Sequence, residues 1–200
     1  MVLMELGEYP FSEHYGWLQD RYGLSWQLQY SGDANAQPKI TPVIMFVGKA
    51  YGKAEEAIHF WIDVFRDGKV LSLQHFGKNE GPDQEGALKY GSFSLFGQEF
   101  AAMESAYDHA FFFNEAISFL VNCETQEEID GYWKKLSAVP ESEQCGWLKD
   151  KYGVSWQIVP ASLGDMLTGD DRARINRVTQ AFLPMKKLDL ATLQKAYEGN

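Results

Sequence analysis

The sequence is poor in basic residues and in cysteine. Its 200 residues include 18 Lys and Arg against 28 Asp and Glu, which gives a formal net charge of −10. Because a surface of this sign repels phosphates on average, nucleic acid is not an expected partner. The only two cysteines, Cys123 and Cys145, lack the CxxC spacing of metal and redox sites. We therefore expect both to be reduced, small apolar side chains.

Long apolar runs and targeting signals are missing as well. No segment approaches the roughly 18 apolar residues that span a bilayer, and the N-terminus has no basic, signal-like stretch. A cytoplasmic location, without a membrane partner, is therefore expected. No two glycines are spaced as GxG, which gives no support to a Rossmann-like cofactor site. The chain is instead 45% hydrophobic and 14% aromatic, and this supports a sizeable core.

A 17-residue segment occurs twice in the chain. Residues 12–28, SEHYGWLQDRYGLSWQL, correspond to residues 142–158, SEQCGWLKDKYGVSWQI, with eleven identical positions. The offset of 130 residues is about one domain length, so residues 1–30 are interpreted as a partial copy of the tail of the following domain.

A weaker repeat lies inside that domain. The apolar run 40–47 leads to a predicted helix 53–65, and the run 116–122 leads to a predicted helix 126–136. Each helix opens with two acidic residues, which suit a helix N-terminus. After the first helix, turn residues separate three further predicted strands, so the first module has the order βαβββ. The second module lacks the strand expected directly after its helix.

The fold class predicted from these patterns is α+β, with paired βαβββ modules. The predicted organisation is a partial module (1–30), a linker (31–38), module one (39–106), module two (114–160) and C-terminal helices (161–197).

The tryptophans follow the repeats. They form three equivalent pairs, Trp17 with Trp147, Trp26 with Trp156, and Trp61 with Trp133. A side chain that is reproduced in each copy is expected to pack the fold rather than to perform a unique step.

Residues 38–196 resemble the PhnB-like proteins, described as 3-demethylubiquinone 3-methyltransferase domains, of the vicinal oxygen chelate (glyoxalase/bleomycin-resistance) superfamily. The matching stretches are 54–57, 97–100, 127–130, 145–160 and 185–187. The resemblance implies two βαβββ modules, each curling a sheet around a cavity, and a homodimer. It also implies that related enzymes hold a divalent metal in this cavity and chelate vicinal oxygens of the substrate.

The metal-ligand positions that the resemblance implies correspond to Pro42, Glu104, Ala116 and Gln157. Proline and alanine side chains cannot bind a metal, and glutamine is a weak neutral donor. A register error of one or two residues would admit Glu115. No metal ligand is therefore assigned, and a divalent metal is left open as a cofactor.

Five residues are candidates for the site. Glu104 is either an exposed acid at a strand end or a catalytic carboxylate of the cavity, with a pKa raised by apolar walls. Gln157 is a candidate ligand contact, next to Trp156, and strand alternation places their side chains on opposite faces of the sheet. His75, beside a Gly- and Pro-rich loop, and Phe46, in an apolar strand, complete the expected ligand-binding set.

Three interpretations of function remain open. The chain binds a small molecule in a sheet cavity, either as an enzyme of the metal-dependent lyase or dioxygenase type or as a non-catalytic protein that sequesters its ligand. The third is a truncated tandem protein without a ligand. Residues 2–30 are expected to complete the sheet of module two or to pair across the homodimer, because three isolated strands are marginally stable.

Overall fold

The computed structural model describes residues 1–30, 32–33 and 39–199. These residues form an N-terminal unit, Met1–Thr41, and a main unit, Pro42–Asn200. Residues 31 and 34–38 of the predicted linker lie outside the described residues.

The N-terminal unit is a three-stranded antiparallel sheet. Its strands are β1 (Val2–Tyr9), β2 (Ser12–Gln19) and β3 (Ser25–Gln29), in the order β1-β2-β3. The first two strands are connected by a tight turn at residues 10–11. The predicted completion of the sheet of module two, or pairing of these strands across a dimer, stays a prediction.

Module one has the predicted βαβββ order. Its elements are β4 (Val43–Val47), α1 (Ala54–Phe65), β5 (Gly68–His75), β6 (Leu88–Leu95) and β7 (Gln98–Ser105). The sheet order is β4-β7-β6-β5, with β4 parallel to β7 and the other pairs antiparallel. Helix α1 ends where Arg66 adopts a left-handed conformation, with φ of 57°.

Module two lacks the strand after its helix, as predicted. Its elements are β8 (Ser118–Cys123), α2 (Gln126–Leu136), β9 (Trp147–Lys149) and β10 (Ser155–Pro160), and the sheet order is β8-β10-β9. Thr125 caps α2, because its hydroxyl accepts from the Glu128 amide at 3.2 Å. The fold class predicted from the sequence is confirmed.

The C-terminal tail packs beside β9. The amides of Cys145 and Gly146 donate to the carbonyls of Met185 and Lys186, both at 2.7 Å. Gly146 has φ of 86°, and a Cβ atom there would lie 2.9 Å from the Ile158 carbonyl oxygen, so glycine is required.

Three helices form the tail: α3 (Leu163–Met166), α4 (Arg172–Phe182) and α5 (Leu190–Glu198). Met166, Val178 and Leu193 of these helices form a small core cluster with Val159 of β10 and Leu188 of the loop before α5. Within α4, Val178 is fully buried, whereas Leu183, which follows the last turn of the helix, is 46% exposed. Among the described residues, no helix is long and apolar enough to cross a membrane.

The main core lies between α1 and residues of both sheets of the main unit. Trp61 is fully buried, and its ring packs on Phe46, Phe93, Tyr152 and Trp156 at centroid distances of 5.8–6.2 Å. The expectation that tryptophans pack the fold therefore holds for Trp61 and Trp156.

It is wrong for Trp26, which is 38% exposed. The equivalent Trp156 is covered by α1, through contacts with Trp61 and with Phe65. The sequence match alone could not show this difference, because it depends on a helix 90 residues away in the chain.

Candidate functional site

A buried aspartate, Asp150, joins the helix of module one to the sheet of module two. Its Oδ2 accepts hydrogen bonds from the indole nitrogens of Trp61 at 2.8 Å and Trp156 at 2.9 Å. Its Oδ1 accepts from the amides of Tyr152 at 2.9 Å and Val154 at 3.0 Å. Burial raises the pKa of this carboxyl, and the indole and amide donors oppose the rise.

Beside Asp150 lies a cavity of about 530 Å³. It is lined by residues from β4, the turn that follows it, the linker between the modules, the loop after α2 and the turn 150–153: Met45, Val47, Lys49, Ala50, Lys53, Phe112, Phe113, Ala138, Val139, Asp150, Lys151, Tyr152 and Gly153. Because Phe46 points into the core, alternation places Met45 and Val47 on the opposite face of β4. The cavity therefore begins on the outer face of this strand.

The rim of the cavity is basic. Three lysines line it, Lys49, Lys53 and Lys151, while Asp150 is the one acid among the lining residues. Four N–H donors already occupy both oxygens of Asp150. Lys151 donates to Glu56 at 2.8 Å, whereas no ion pair of Lys49 or Lys53 is formed with the described residues.

Tyr152 forms part of the cavity wall. Its hydroxyl donates to Oε1 of Glu56 at 2.7 Å, and the Lys151 ammonium lies 4.9 Å from its ring centroid. Burial, followed by the hydrogen bond to the Glu56 carboxylate, raises the pKa of Tyr152 to about 12. The phenol is therefore a neutral hydrogen-bonding group at physiological pH.

The aromatic run between the modules contributes two rings to the cavity. Phe113 packs edge-on against Phe46 at a centroid distance of 5.1 Å. Phe112, in contrast, is 62% exposed and lies over Gly48. A Cβ atom on Gly48 would come within 2.7 Å of the Phe112 ring.

The predicted catalytic residue, Glu104, has a different environment from both sequence interpretations. It is buried, with 3% exposure, so it is not an exposed strand-end acid. Its Oε1 accepts from the Ala54 amide at 2.7 Å and its Oε2 from the Leu88 amide at 3.0 Å. The carboxylate thus faces α1 and holds the first residue of that helix. A catalytic role of Glu104 stays a prediction.

The predicted ligand-binding residues are divided between the two faces of the sheets. Phe46 is fully buried and is paired with Glu104 across β4 and β7. Trp156 is 2% exposed and points into the same core, where it reaches Trp61. Gln157 lies on the opposite face of β10, and its amide nitrogen donates to the Ser118 hydroxyl at 2.8 Å.

His75 lies at the end of β5 and pairs with α1. Its Nε2 is 2.6 Å from Oε2 of Glu55, and its side chain is 38% exposed. Neither His75 nor Gln157 lines the cavity beside Asp150. Their assignment as ligand contacts stays a prediction.

The sequence interpretation missed Asp150, Tyr152 and the two lysines Lys49 and Lys53. A signal for the first two was present, because Asp-x-Tyr-Gly-x-Ser-Trp is common to both copies of the repeat. For the lysines we find no signal, since nothing in their spacing distinguishes them from other surface lysines.

The residues present do not fit the divalent metal that the resemblance implies. No group of three His, Cys, Asp or Glu side chains able to hold a metal occurs among the described residues. Both oxygens of Glu104 already accept backbone hydrogen bonds. Glu115, the alternative ligand, forms an ion pair with Lys149.

Comparison with known proteins gives one family match. Residues 38–159 match the family model described as 3-demethylubiquinone-9 3-methyltransferase. Among solved structures, the PhnB protein of Bacillus cereus is 41% identical, with a TM-score of 0.51. The match covers 61% of this chain and 99% of that protein. No curated protein matches the chain.

Two further solved structures are more distant. A protein of Pseudomonas aeruginosa is 16% identical, with a TM-score of 0.46, over 62% of this chain and 98% of that one. The fosfomycin resistance protein FosX of Listeria monocytogenes is 13% identical, with a TM-score of 0.44, over 66% of this chain and 99% of its own. Similarities at this level carry no conclusion about the present site.

Proposed function

The chain belongs to the 3-demethylubiquinone-9 3-methyltransferase family of PhnB-like proteins, and on this basis we propose that it binds a small organic anion in the cavity beside Asp150. The observation that carries the proposal is the composition of the cavity wall. Apolar and aromatic side chains line a half-open cavity of about 530 Å³, and three lysines also line it in a chain with net charge −10. Such a volume suits a drug-sized molecule or a smaller one.

The basic rim favours an anionic ligand. Lys49 and Lys53 form no salt bridge with the described residues, although the hydrogen bond from Lys151 and, to a smaller extent, the nearby charge of Lys53 lower the pKa of the Glu56 carboxyl. A ligand carboxylate, phosphate or phosphonate can therefore contact both ammonium groups directly. The phenyl rings of Phe112 and Phe113 would contact the apolar part of the same molecule. The ligand class is therefore an acid with an apolar or aromatic body.

Binding without chemistry is the form of this proposal that the contacts favour. The two buried carboxylates, Asp150 and Glu104, each have both oxygens occupied by N–H donors of the protein. A general base must be able to reach a substrate proton, and these contacts occupy the oxygens that would do so. We therefore propose sequestration of the ligand in preference to catalysis.

The test uses a series of ligands that share one ring and differ in charge. We expect benzoate and phenylphosphonate to bind, as measured by isothermal titration calorimetry, and benzyl alcohol and benzylamine to bind more weakly or not at all. The double substitution Lys49→Met and Lys53→Met should abolish the preference for the acids. Lys69→Met with Lys78→Met is the matched control, because it removes the same charge outside the cavity.

Two outcomes would contradict the proposal. One is equal binding of benzylamine and benzoate, and the other is unchanged benzoate binding by the double cavity variant. Mass spectrometry of each ligand after prolonged incubation separates sequestration from catalysis. Recovery of the unaltered ligand supports binding alone, whereas a product would favour the enzymatic alternative.

A homodimer is part of the proposal. Large apolar side chains of the main unit remain exposed, including Leu71 at 44%, Ile117 at 56% and Leu120 at 53%. Leu120 lies on β8, the edge strand of the sheet β8-β10-β9, where it pairs with β10 alone. Light scattering after size-exclusion chromatography should give twice the chain mass of 22.7 kDa, and Leu120→Asp should give the monomer mass if this edge forms the interface.

The cytoplasmic location expected from the sequence also remains a proposal. Both cysteines are free, which is usual in a reducing compartment. Fractionation of cells that produce the tagged protein would test the location, and recovery in a secreted or envelope fraction would contradict it.

A further inference from the structure

The two copies of the repeat have the same backbone pairing. In the N-terminal unit the partners across β2 and β3 are Trp17 with Gln27, Leu18 with Trp26, and Gln19 with Ser25. In module two the equivalent partners across β9 and β10 are Trp147 with Gln157, Leu148 with Trp156, and Lys149 with Ser155. The connecting turns also share their backbone hydrogen bonds, since Asp20 and Asp150 each donate to the carbonyl four residues later.

The aspartates of the two turns differ in one hydrogen bond. Oδ1 of Asp20 accepts from the amides of Tyr22 at 2.8 Å and Leu24 at 3.0 Å, and Oδ2 accepts from the Trp26 indole at 3.0 Å. Asp150 has the equivalent three donors and a fourth, the indole of Trp61. The N-terminal copy therefore has the same acceptor, with one indole donor fewer.

The side chains around these aspartates differ greatly in exposure. The exposed fractions in the N-terminal copy are 79% for Tyr22, 38% for Leu24, 38% for Trp26 and 49% for Leu28. The fractions at the equivalent positions of module two are 8% for Tyr152, 5% for Val154, 2% for Trp156 and 0% for Ile158. A row of four apolar side chains is thus buried in one copy and accessible in the other.

Helix α1 is what covers the second copy. Trp61 packs on Trp156 at 5.9 Å between ring centroids, and Phe65 packs on the same indole at 5.2 Å. Glu56 lies on the same helix, five residues before Trp61, and accepts hydrogen bonds from the side chains of Lys151 and Tyr152. The covering helix therefore presents an acid five residues before a tryptophan.

The N-terminal copy retains the groups that recognise this pattern. Arg21 and Tyr22 replace Lys151 and Tyr152, and no ion pair of Arg21 is formed with the described residues. The Arg21 guanidinium lies 4.6 Å from the Tyr22 ring centroid. A basic residue and a phenol thus stand beside the carboxylate that lacks its second indole, in the arrangement that binds an acid and a tryptophan of α1.

We propose that the N-terminal unit docks an amphipathic helix of a partner polypeptide, with an acidic residue five positions before a tryptophan. The acid pairs with Arg21 and Tyr22, the indole N–H donates to Oδ2 of Asp20, and the apolar face of the helix covers Trp26 and Leu28. Helix α1 of the same chain is not the occupant, because its indole is already bound to Asp150.

A helical peptide with the sequence of α1 tests the proposal on the full chain. The probe is residues 53–66, labelled with fluorescein, with a hydrocarbon staple in place of His59 and Asp63. These two positions are four residues apart and exposed in α1, so the staple leaves the packing face unchanged. Helicity of the probe is verified by circular dichroism before binding is measured by fluorescence anisotropy.

We expect saturable binding, with slower amide hydrogen exchange confined to residues 20–28. Replacing the peptide tryptophan by alanine, or Asp20→Asn in the chain, should weaken binding about tenfold or more, which is the value of one charge-assisted hydrogen bond. Absence of binding by the helical probe would overturn the proposal, as would undiminished binding by the Asp20→Asn chain.

A charge exchange separates docking from a structural effect of the substitutions. Arg21→Glu should weaken binding of the probe, and a probe with lysine at the position of Glu56 should restore it. Arg21→Glu removes the hydrogen bond from Arg21 to the Tyr22 hydroxyl, but the three hydrogen bonds that Asp20 accepts do not involve the Arg21 side chain. Failure of the lysine probe to bind the Arg21→Glu chain better than the unaltered probe does would count against the proposed contact.

Discussion

The indole nitrogens of Trp61 and Trp156 donate to the same carboxylate oxygen, Oδ2 of Asp150, at 2.8 and 2.9 Å. The two tryptophans belong to different modules, and their rings pack at 5.9 Å. One buried oxygen therefore fixes the position of α1 on the sheet of module two, next to the cavity that contains Asp150 in its wall.

Asp150→Asn should destabilise the protein by about 2–4 kcal/mol, because a carboxamide has one oxygen and cannot accept from both the indoles and the backbone amides, which leaves buried donors without a partner. Urea unfolding at neutral pH, monitored by tryptophan fluorescence, measures the change. Asp20→Asn is the matched control, since it alters the same turn motif where Trp26 remains accessible, and its effect should be smaller. Equal losses in the two variants would contradict the importance of burial.

The pKa of Asp20 should lie below the ordinary value for an aspartate, and the pKa of Asp150 should lie above it. The hydrogen bond from Trp26 lowers the pKa of Asp20, whereas burial raises the pKa of Asp150. The stability that Asp20 contributes is present above the ordinary pKa and is lost as the pH falls through its lowered value. The stability that Asp150 contributes is present below the ordinary pKa of an aspartate and is lost as the pH rises through the raised pKa of Asp150. Carboxyl ¹³C NMR should show Asp20 titrating at the lower pH, and the reverse order would contradict the contacts.

Glu104→Gln should destabilise the main unit by about 1–3 kcal/mol, because one of the two backbone amides that it binds would lose its acceptor in the interior. Glu99→Gln, on the same strand, is the control and should have little effect. Thermal unfolding gives the stability, and benzoate titration gives the ligand affinity. Loss of ligand binding without loss of stability would favour the predicted catalytic role of Glu104 over its role as an anchor of α1.

Gly48→Ala should cost about 1–3 kcal/mol, from backbone strain at φ of 54° and from a Cβ atom 2.7 Å from the Phe112 ring. Gly52→Ala isolates the strain, because Gly52 has φ of 79° and no atom within 4 Å of its Cβ position. The loss of stability that is due to the contact with the Phe112 ring should disappear in the double variant Gly48→Ala and Phe112→Ala. Urea unfolding compares the variants, and equal losses at Gly48 and Gly52 would show that Phe112 moves aside freely.

The order of elements could be predicted from the sequence because its signals are local. The helix predicted at 126–136 begins and ends as predicted, since Thr125 and Glu128 have the capping spacing and the chain becomes extended at Ser137. The missing strand of module two followed from the short interval before Trp147. The hydrophobic periodicity, the capping residues and the turn residues that define a helix or strand all lie within a few residues of it.

The site could be predicted only in part, because it depends on contacts between distant residues. Glu104 and its neighbour Met103 lie on opposite faces of β7. Shifting the assigned site position by one residue therefore moves the candidate side chain from the face towards α1 to the outer face of the sheet. The fourth donor to Asp150 is 89 residues away in the chain. No spacing rule connects Lys49 with Lys151, which meet only when the two modules fold together.

The identical pairing of the two copies also bears on the order in which the chain folds. The turn at 20–26 has its three aspartate hydrogen bonds without a covering helix, so the same turn at 150–156 does not need α1 in order to form. Closing a loop of six residues costs less entropy than closing one of 89. We therefore expect the hairpin of β9 and β10 to form first, and to present a ready acceptor to which the indole of Trp61 binds when the modules meet.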